Sequence, residues 1–253
     1  MVFFVSASLS TPLLKVPLLL GNAVCTYHGM TPPTGAASAS EVKRIGTVTP
    51  DFVSHASFPE FLKACTSTAK TILCSITLIE ATVILARQFP SPFSGHILSH
   101  FFPARSSSSS LQLTPISAVA CALGISGGLI RVWCHRELGR FFTWEVAVRD
   151  NHQLITSGPY SIVRHPGYTG WLLLIAGNFA LLASGGSYFR EAGLWKTITG
   201  GAVAGSIIGY LSWVTVNLLK RTAEEDAILE KEFGVQWEDW ARKTPYRLIP
   251  LIY

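Results

Sequence analysis

The chain has 253 residues, of which 49% are hydrophobic and only 14% are charged. An ordinary soluble domain carries roughly 25% charged residues, so this composition excludes that class and favours an integral membrane protein. The net charge is +5 at pH 7. The basic residues lie at the ends of apolar segments and not in one stripe, which indicates membrane orientation and not nucleic-acid binding. The 5 cysteines form no C-x-x-C pair. Neither a disulfide framework nor a zinc site is indicated, and we expect no metal.

Five apolar segments are long enough for a membrane-spanning helix, which needs roughly 20 residues. In chain order they cover about residues 9–27, 65–86, 113–133, 168–189 and 194–219. The first segment contains Lys15 and two prolines, so a kinked or interfacial helix remains an alternative there. The last two segments are separated by a short connection, which predicts a helical hairpin.

Loop charges predict how these spans cross the bilayer. Basic residues precede the second span, lie between the third and fourth, and follow the fifth. Because Lys and Arg of short loops are retained in the cytoplasm, this pattern predicts five spans with the C-terminus in the cytoplasm.

Two features inside the spans allow specific expectations. An ionisable group in hydrocarbon is costly, so we expect Glu80 in the second span to be paired within the bundle. In the fifth span, Gly201, Gly205 and Gly209 recur every four residues. This spacing predicts a helix face against which a neighbouring helix packs closely.

Two motif blocks carry the chemistry of the C-terminal half. Residues 152–160 read HQLITSGPY and residues 164–168 read RHPGY, leading into the fourth span, whereas RTAEED at 221–226 follows the fifth. Each piece also has a local explanation. Gly158 and Pro159 suit a turn, Arg164 and His165 could anchor a span at the headgroups, and Arg221 and Glu225 are four residues apart on a helix. No G-x-G-x-x-G motif follows a predicted strand, which excludes a soluble Rossmann-type methyltransferase.

Taken together, these blocks resemble the isoprenylcysteine carboxyl methyltransferase family. The resemblance covers about residues 138–250, through GPYSIVRHPGY, two spans with a tight turn, RTAEED, FG, W and RLIP. It implies an all-α integral membrane protein with about five transmembrane helices, a cytoplasmic loop that carries the cofactor, and a C-terminal amphipathic helix over about residues 222–243. Residues 1–137 would then hold about three spans with their loops, and residues 138–253 the methyltransferase region.

The resemblance also implies a reaction and its residues. The cofactor would be S-adenosylmethionine and the substrate the C-terminal carboxylate of a prenylated cysteine, at the endoplasmic reticulum with the site facing the cytoplasm. Arg221 would bind this carboxylate and act as the catalytic residue; the carboxylate is already ionised at neutral pH, so no general base is required. The acidic run leaves open whether Glu224 or Glu225 meets the cofactor. The implied cofactor residues are His152, Gln153, Leu154, Ile155, Tyr160, His165, Pro166, Gly167, Tyr168 and Glu225.

Three other functions remain open on the sequence. A membrane phospholipid amine methyltransferase would have no use for an arginine that binds a carboxylate, so Arg221 argues against it. An NADPH-dependent, sterol-type membrane reductase would share the C-terminal architecture and differ in its cofactor. A membrane transporter or scaffold would have no activity at all.

Overall fold

The computed structural model describes residues 12–33, 59–101, 111–142 and 151–252, and these residues form helices and no β-strand. The predicted all-α fold is therefore confirmed. Short 3-10 helices occur at Gly139–Phe141, Gly158–Ser161 and Leu194–Lys196. The α-helices are α1 Pro12–Gly29, α2 Pro59–Gln88, α3 Pro92–Phe101, α4 Pro115–Leu138, α5 Pro166–Ala183, α6 Tyr188–Glu191, α7 Ile198–Phe233 and α8 Val235–Lys243.

Proline is the first residue of several of these helices. It occupies this position in α1, α2, α3, α4 and α5. Proline suits the first helical turn, because a backbone N–H at this position would have no partner within the helix and because the φ of proline is already helical. Reciprocal hydroxyl caps add to the signal at α4, where Ser117 N donates to Thr114 Oγ1 over 3.1 Å and Thr114 N donates to Ser117 Oγ over 2.9 Å. The sequence thus marks these helix starts locally.

Among the described residues, four stretches are long and apolar enough to cross a membrane: Glu60–Gln88, Pro115–Phe141, Pro166–Glu191 and Ile198–Phe233. They correspond to the second to fifth predicted spans, so the chain is an integral membrane protein. Helix α1 is not among them. Residues 9–11 of the first predicted span lie outside the described residues, and the crossing of the membrane by α1 stays a prediction.

The chain forms two compact units, each assembled from separate stretches. The first consists of the described parts of Met1–Tyr27, Thr68–Ser126 and Leu173–Leu211, and the second of those of His28–Ser67, Gly127–Leu172 and Ser212–Tyr253. The predicted boundary between residues 137 and 138 stays a prediction.

A buried ion pair lies at the centre of the first unit. Lys15 Nζ is 2.5 Å from Glu80 Oε1, and the two residues are 0% and 1% exposed. Lys15 also donates to the Gly186 carbonyl over 2.8 Å, and the Tyr188 amide donates to Glu80 Oε2 over 2.9 Å. The expectation that Glu80 is paired is confirmed, and its partner is the lysine that weakens the first predicted span.

Close helix packing in the first unit involves other glycines than predicted. A Cβ at Gly177 would lie 2.4 Å from the Gly124 backbone nitrogen, so α4 and α5 approach backbone to backbone. In contrast, a Cβ at Gly205 or Gly209 would meet no atom within 4 Å. The predicted close packing is therefore wrong for Gly205 and Gly209 among the described residues, where both glycines are exposed.

The C-terminal helix also differs in extent from the prediction. No separate helix begins at residue 222, because α7 runs unbroken from Ile198 to Phe233. It contains neither proline nor glycine after Gly209, so no residue interrupts it there. Gly234, with φ of 51°, ends it before α8. Helix α8 is amphipathic as expected, with Trp240 buried and the charged residues Glu238 and Arg242 exposed.

Candidate active site

The first motif block forms a tight turn in the second unit. Gly158 has φ of 57°, and a Cβ there would lie 2.7 Å from Glu137 Oε1 of α4. Ser157 Oγ donates to the other oxygen of Glu137 over 3.0 Å. Positive φ and close approach both require glycine at this position, so the predicted Gly158–Pro159 turn is confirmed. Glu137 fixes it to α4.

Tyr160 follows this turn and is covered by α8. The indole Nε1 of Trp240 donates to the Tyr160 carbonyl over 3.0 Å. Burial raises the pKa of the Tyr160 phenol well above its usual range, and Cys134 beside it acts in the same direction. The phenol is therefore neutral at physiological pH and acts as a polar aromatic surface.

The side chain of Glu225 joins the two motif blocks. Its Oε1 accepts hydrogen bonds from Tyr168 Oη over 2.6 Å and from Arg221 Nε over 2.9 Å. Its Oε2 lies 3.4 Å from His165 Nδ1. Glu225, and not Glu224, is the glutamate that contacts the RHPGY block. The i,i+4 contact with Arg221, expected from the helix spacing alone, is present.

His165 lies between two carboxylates. Its Nδ1 faces Glu225, and its Nε2 is 3.0 Å from Asp226 Oδ1. Burial by itself lowers the pKa of this imidazole, but the hydrogen bonds to Asp226 and Glu225 outweigh burial and raise it above its ordinary value. The imidazolium form donates from both ring nitrogens, which suits an acceptor on each side.

Asp226 is a member of this cluster that the sequence analysis missed. Besides His165, its Oδ2 contacts Arg164 Nη2 at 3.2 Å and Arg247 Nε at 3.0 Å. Asp226 as a whole is 4% exposed. The signal that could have found it was a third acidic residue in RTAEED, beside a chain end rich in arginine.

The C-terminal segment is held against the start of α5 by backbone hydrogen bonds. The Arg164 amide donates to the Tyr246 carbonyl over 2.9 Å, and the His165 amide donates to the Arg247 carbonyl over 2.8 Å. Thr169 Oγ1 donates to the Leu248 carbonyl over 2.6 Å. The RLIP motif thus fixes the backbone of the RHPGY block.

The remaining predicted cofactor residues have other contacts. Pro166 begins α5, and the Gly167 carbonyl accepts a hydrogen bond from Arg131 Nη1 over 3.0 Å. The His152 ring centroid is 4.9 Å from that of Phe141 and 5.8 Å from that of Phe233. In the same loop, Leu154 and Ile155 are half-buried and Gln153 is exposed.

The structure therefore brings together one part of the predicted site directly. His165, Tyr168 and Arg221 each contact the side chain of Glu225. His152 packs on the rings of Phe141, in the 3-10 helix after α4, and of Phe233, at the end of α7. Both signs of charge and several aromatic faces meet in this region, which suits a small zwitterionic ligand.

Comparison with known proteins agrees with the motif resemblance. The model described as Isoprenylcysteine carboxyl methyltransferase (ICMT) family matches residues 119–188. The chain is 26% identical over 166 residues to a probable protein-S-isoprenylcysteine O-methyltransferase of Oryza sativa subsp. indica, covering 64% of this chain and 76% of the rice protein. It is 26% identical over 132 residues to protein-S-isoprenylcysteine O-methyltransferase B of Arabidopsis thaliana, covering 51% of this chain and 57% of that protein.

A shorter similarity relates the chain to a different enzyme class. A delta(14)-sterol reductase of Mus musculus is 27% identical over 101 residues, which are 40% of this chain and 20% of the reductase. No solved structure gives a significant match. The predicted resemblance to the isoprenylcysteine carboxyl methyltransferases is confirmed by the family model and the plant relatives.

Proposed function

We propose that this membrane protein is a methyltransferase of the isoprenylcysteine carboxyl type, which esterifies the C-terminal carboxylate of prenylated cysteine with a methyl group from S-adenosylmethionine. The observation that carries the proposal is the contact of Glu225 with Arg221, Tyr168 and His165. This contact joins the two motif blocks that define the resemblance. The match of the family model to residues 119–188 supports the same reaction class.

The residues of the cluster fit the proposed cofactor. S-adenosylmethionine has an ammonium group, a carboxylate and a sulfonium. The Glu225 side chain is 23% exposed and is the anionic partner for the ammonium. The neutral Tyr160 and the half-buried Tyr168 offer aromatic faces that attract a sulfonium. We infer that Glu225, His165 and these tyrosines bind the cofactor, with residues 152–155, Pro166 and Gly167 around them.

The substrate carboxylate requires a cation in a largely dehydrated environment. Arg221 is 4% exposed and carries a fixed, planar guanidinium. When bound, S-adenosylmethionine supplies an electrophilic methyl group. The contribution of the chain is to orient the acceptor oxygen and exclude water, because the carboxylate is ionised at neutral pH and has no proton to lose.

The prenyl group supports a site beside the membrane. Each buried methylene of such a chain favours hydrocarbon by about 0.8 kcal/mol, so the substrate is concentrated in the bilayer. The basic loops predict that the site and the C-terminus face the cytoplasm. We propose the endoplasmic reticulum membrane as the location and prenylated proteins as the partners.

Methyl transfer from labelled S-adenosylmethionine to a small S-farnesylated cysteine tests the proposal directly. Membranes containing the full chain are expected to incorporate base-labile label, and Arg221→Ala is expected to abolish it. Lys220→Ala is the matched control, since Lys220 is an exposed basic residue one position earlier in α7. Loss of activity in both variants would show only a general effect of charge.

The other outcomes identify the rival functions. Label that enters a lipid amine fraction and is base-stable would replace the proposal with a phospholipid methyltransferase. A chain that binds NADPH and not S-adenosylmethionine would make it a reductase, as the shorter similarity allows. Binding of neither cofactor would refute the enzyme reading.

A further inference from the structure

The buried carboxylate of Asp226 is the common contact of three cationic side chains from two segments outside α7. His165 Nε2 lies 3.0 Å from its Oδ1, and Arg164 and Arg247 contact its Oδ2 at 3.2 and 3.0 Å. Its side chain is 6% exposed, against 23% for that of Glu225. Because it is the less accessible carboxylate, Asp226 is suited to hold its neighbours and not a ligand.

The histidine between the two acids is oriented by both. In a neutral imidazole only one nitrogen carries a proton, so the ring could donate to one carboxylate only. With Asp226 bonded to Nε2, the ring plane is fixed and Nδ1 is directed at Glu225 Oε2, 3.4 Å away. The ring also stacks on Tyr168, with centroids 5.8 Å apart.

The charge around His165 depends strongly on Asp226. Arg164, Arg221 and Arg247 each contact one of the two acids. The positive charges of the cluster therefore outnumber its negative charges even when the imidazole is neutral. Removing one of two carboxylates would leave a single anion among these cations. Three titratable groups face His165 directly: Glu225 and Asp226 of α7 and Tyr168 of α5. Three arginines lie behind the two acids: Arg221 of α7, Arg164 before α5 and Arg247 of the C-terminal segment.

We propose that Asp226 is a positioning residue of the active site. It holds the His165 ring with Nδ1 directed at Glu225 and, as an anion beside Nε2, favours the imidazolium form. At the same time it fixes the C-terminal segment to the RHPGY block. The segment is fastened because Arg164 donates both to Asp226 and to the carbonyls of Thr244 and Pro245, at 3.2 and 3.0 Å. The inference rests on the proposed function, since it assigns Asp226 to the site at which the cofactor is held.

The test compares Asp226→Asn with Asp226→Glu and with Glu230→Gln in the full chain. Asparagine has a similar shape without the charge, glutamate restores the charge, and Glu230 is an exposed acid one turn further along α7. Three quantities are measured across pH in detergent. They are the thermal unfolding midpoint without ligand, the KM for S-adenosylmethionine and kcat.

We expect Asp226→Asn to move the alkaline loss of stability, and the alkaline limb of kcat/KM, to lower pH by about one unit, since one of the groups that stabilise the imidazolium is gone. The KM for S-adenosylmethionine is expected to rise about tenfold, the equivalent of one charge-assisted hydrogen bond, with a smaller change in kcat. Asp226→Glu should retain the wild-type alkaline midpoint, and Glu230→Gln should match the wild type throughout.

A uniform drop in stability with an unchanged pH midpoint would overturn the inference, because a merely structural aspartate gives that result. So would an Asp226→Glu variant whose alkaline midpoint lies about one unit below that of the wild type. This comparison with the wild type can be made even if Asp226→Asn does not fold. If the wild type shows the pH-dependent unfolding and the shift in Asp226→Asn but transfers no methyl group, the proposed function fails while the role of Asp226 in orienting His165 stands.

Discussion

The buried pair of Lys15 and Glu80 gives a sharp test of how the first unit is stabilised. In Glu80→Gln the amide oxygen can still accept from the Tyr188 N–H, which the wild-type carboxylate accepts over 2.9 Å. The change therefore removes the negative charge and little else. It leaves the Lys15 ammonium, 0% exposed, with the Gly186 carbonyl but without its counter-ion.

The magnitude follows from this burial. Breaking a buried pair on one side costs about 3–5 kcal/mol, because an uncompensated charge remains. The exposed pair of Glu60 and Lys63 provides a matched control in the same helix, with side chains 85% and 31% exposed and an N–O distance of 3.1 Å. Glu60→Gln should cost less than about 1 kcal/mol.

The assay is equilibrium unfolding of the full chain in detergent, followed by tryptophan fluorescence. The double variant Lys15→Met with Glu80→Gln removes both charges, so it should be more stable than Glu80→Gln alone. The buried pair does not stabilise the first unit in this way if Glu80→Gln is no more destabilising than Glu60→Gln, or if the loss in the double variant equals the sum of two independent losses.

Three further predictions concern helix packing at Gly177, the protonation of His165 and the hydrogen bond between Trp240 and Tyr160. Gly177→Ala should destabilise the chain by about 1–3 kcal/mol, since the new Cβ would lie 2.4 Å from a backbone nitrogen. Gly205→Ala should not, because a Cβ there meets no atom within 4 Å. Equal unfolding midpoints for the two variants would contradict this. The raised pKa of His165 should give stability that is complete below pH of about 6.5 and is lost as pH rises through the folded pKa; His165→Gln should abolish this component of a pH–Tm curve. Trp240→Phe should lose the hydrogen bond to the Tyr160 carbonyl, at about 1 kcal/mol, and a wild-type unfolding midpoint would exclude that role.

Much of the fold follows from local signals in the sequence. Apolar length predicted the second to fifth spans, and proline at position 166 agrees with the observed start of α5. The Gly158 turn was also predictable, because glycine followed by proline restricts the backbone. These features depend on neighbours in sequence, so the pattern of the chain contains them.

Other features depend on contacts between distant residues. The spacing of Gly205 and Gly209 matches a packing motif, yet a Cβ at either would meet no atom within 4 Å, whereas a Cβ at Gly124 or Gly177 would meet atoms of another helix. A glycine repeat indicates only that a backbone is accessible, and which neighbour approaches it is decided by the arrangement of the bundle. The sequence likewise does not reveal the partner of Glu80, because Lys15 lies 65 residues away in another apolar segment.

The candidate active site shows the same division between local and distant information. The spacing of Arg221 and Glu225 predicted their contact, since both lie on one face of α7. Asp226 follows Glu225 directly, so it points about 100° away around the helix and meets a different set of partners. That second direction leads to His165, Arg164 and Arg247, 61, 62 and 21 residues away in sequence. Adjacent acids of one motif therefore contact different neighbours, and the side chain of Glu225 is the more exposed of the two, at 23% against 6% for Asp226.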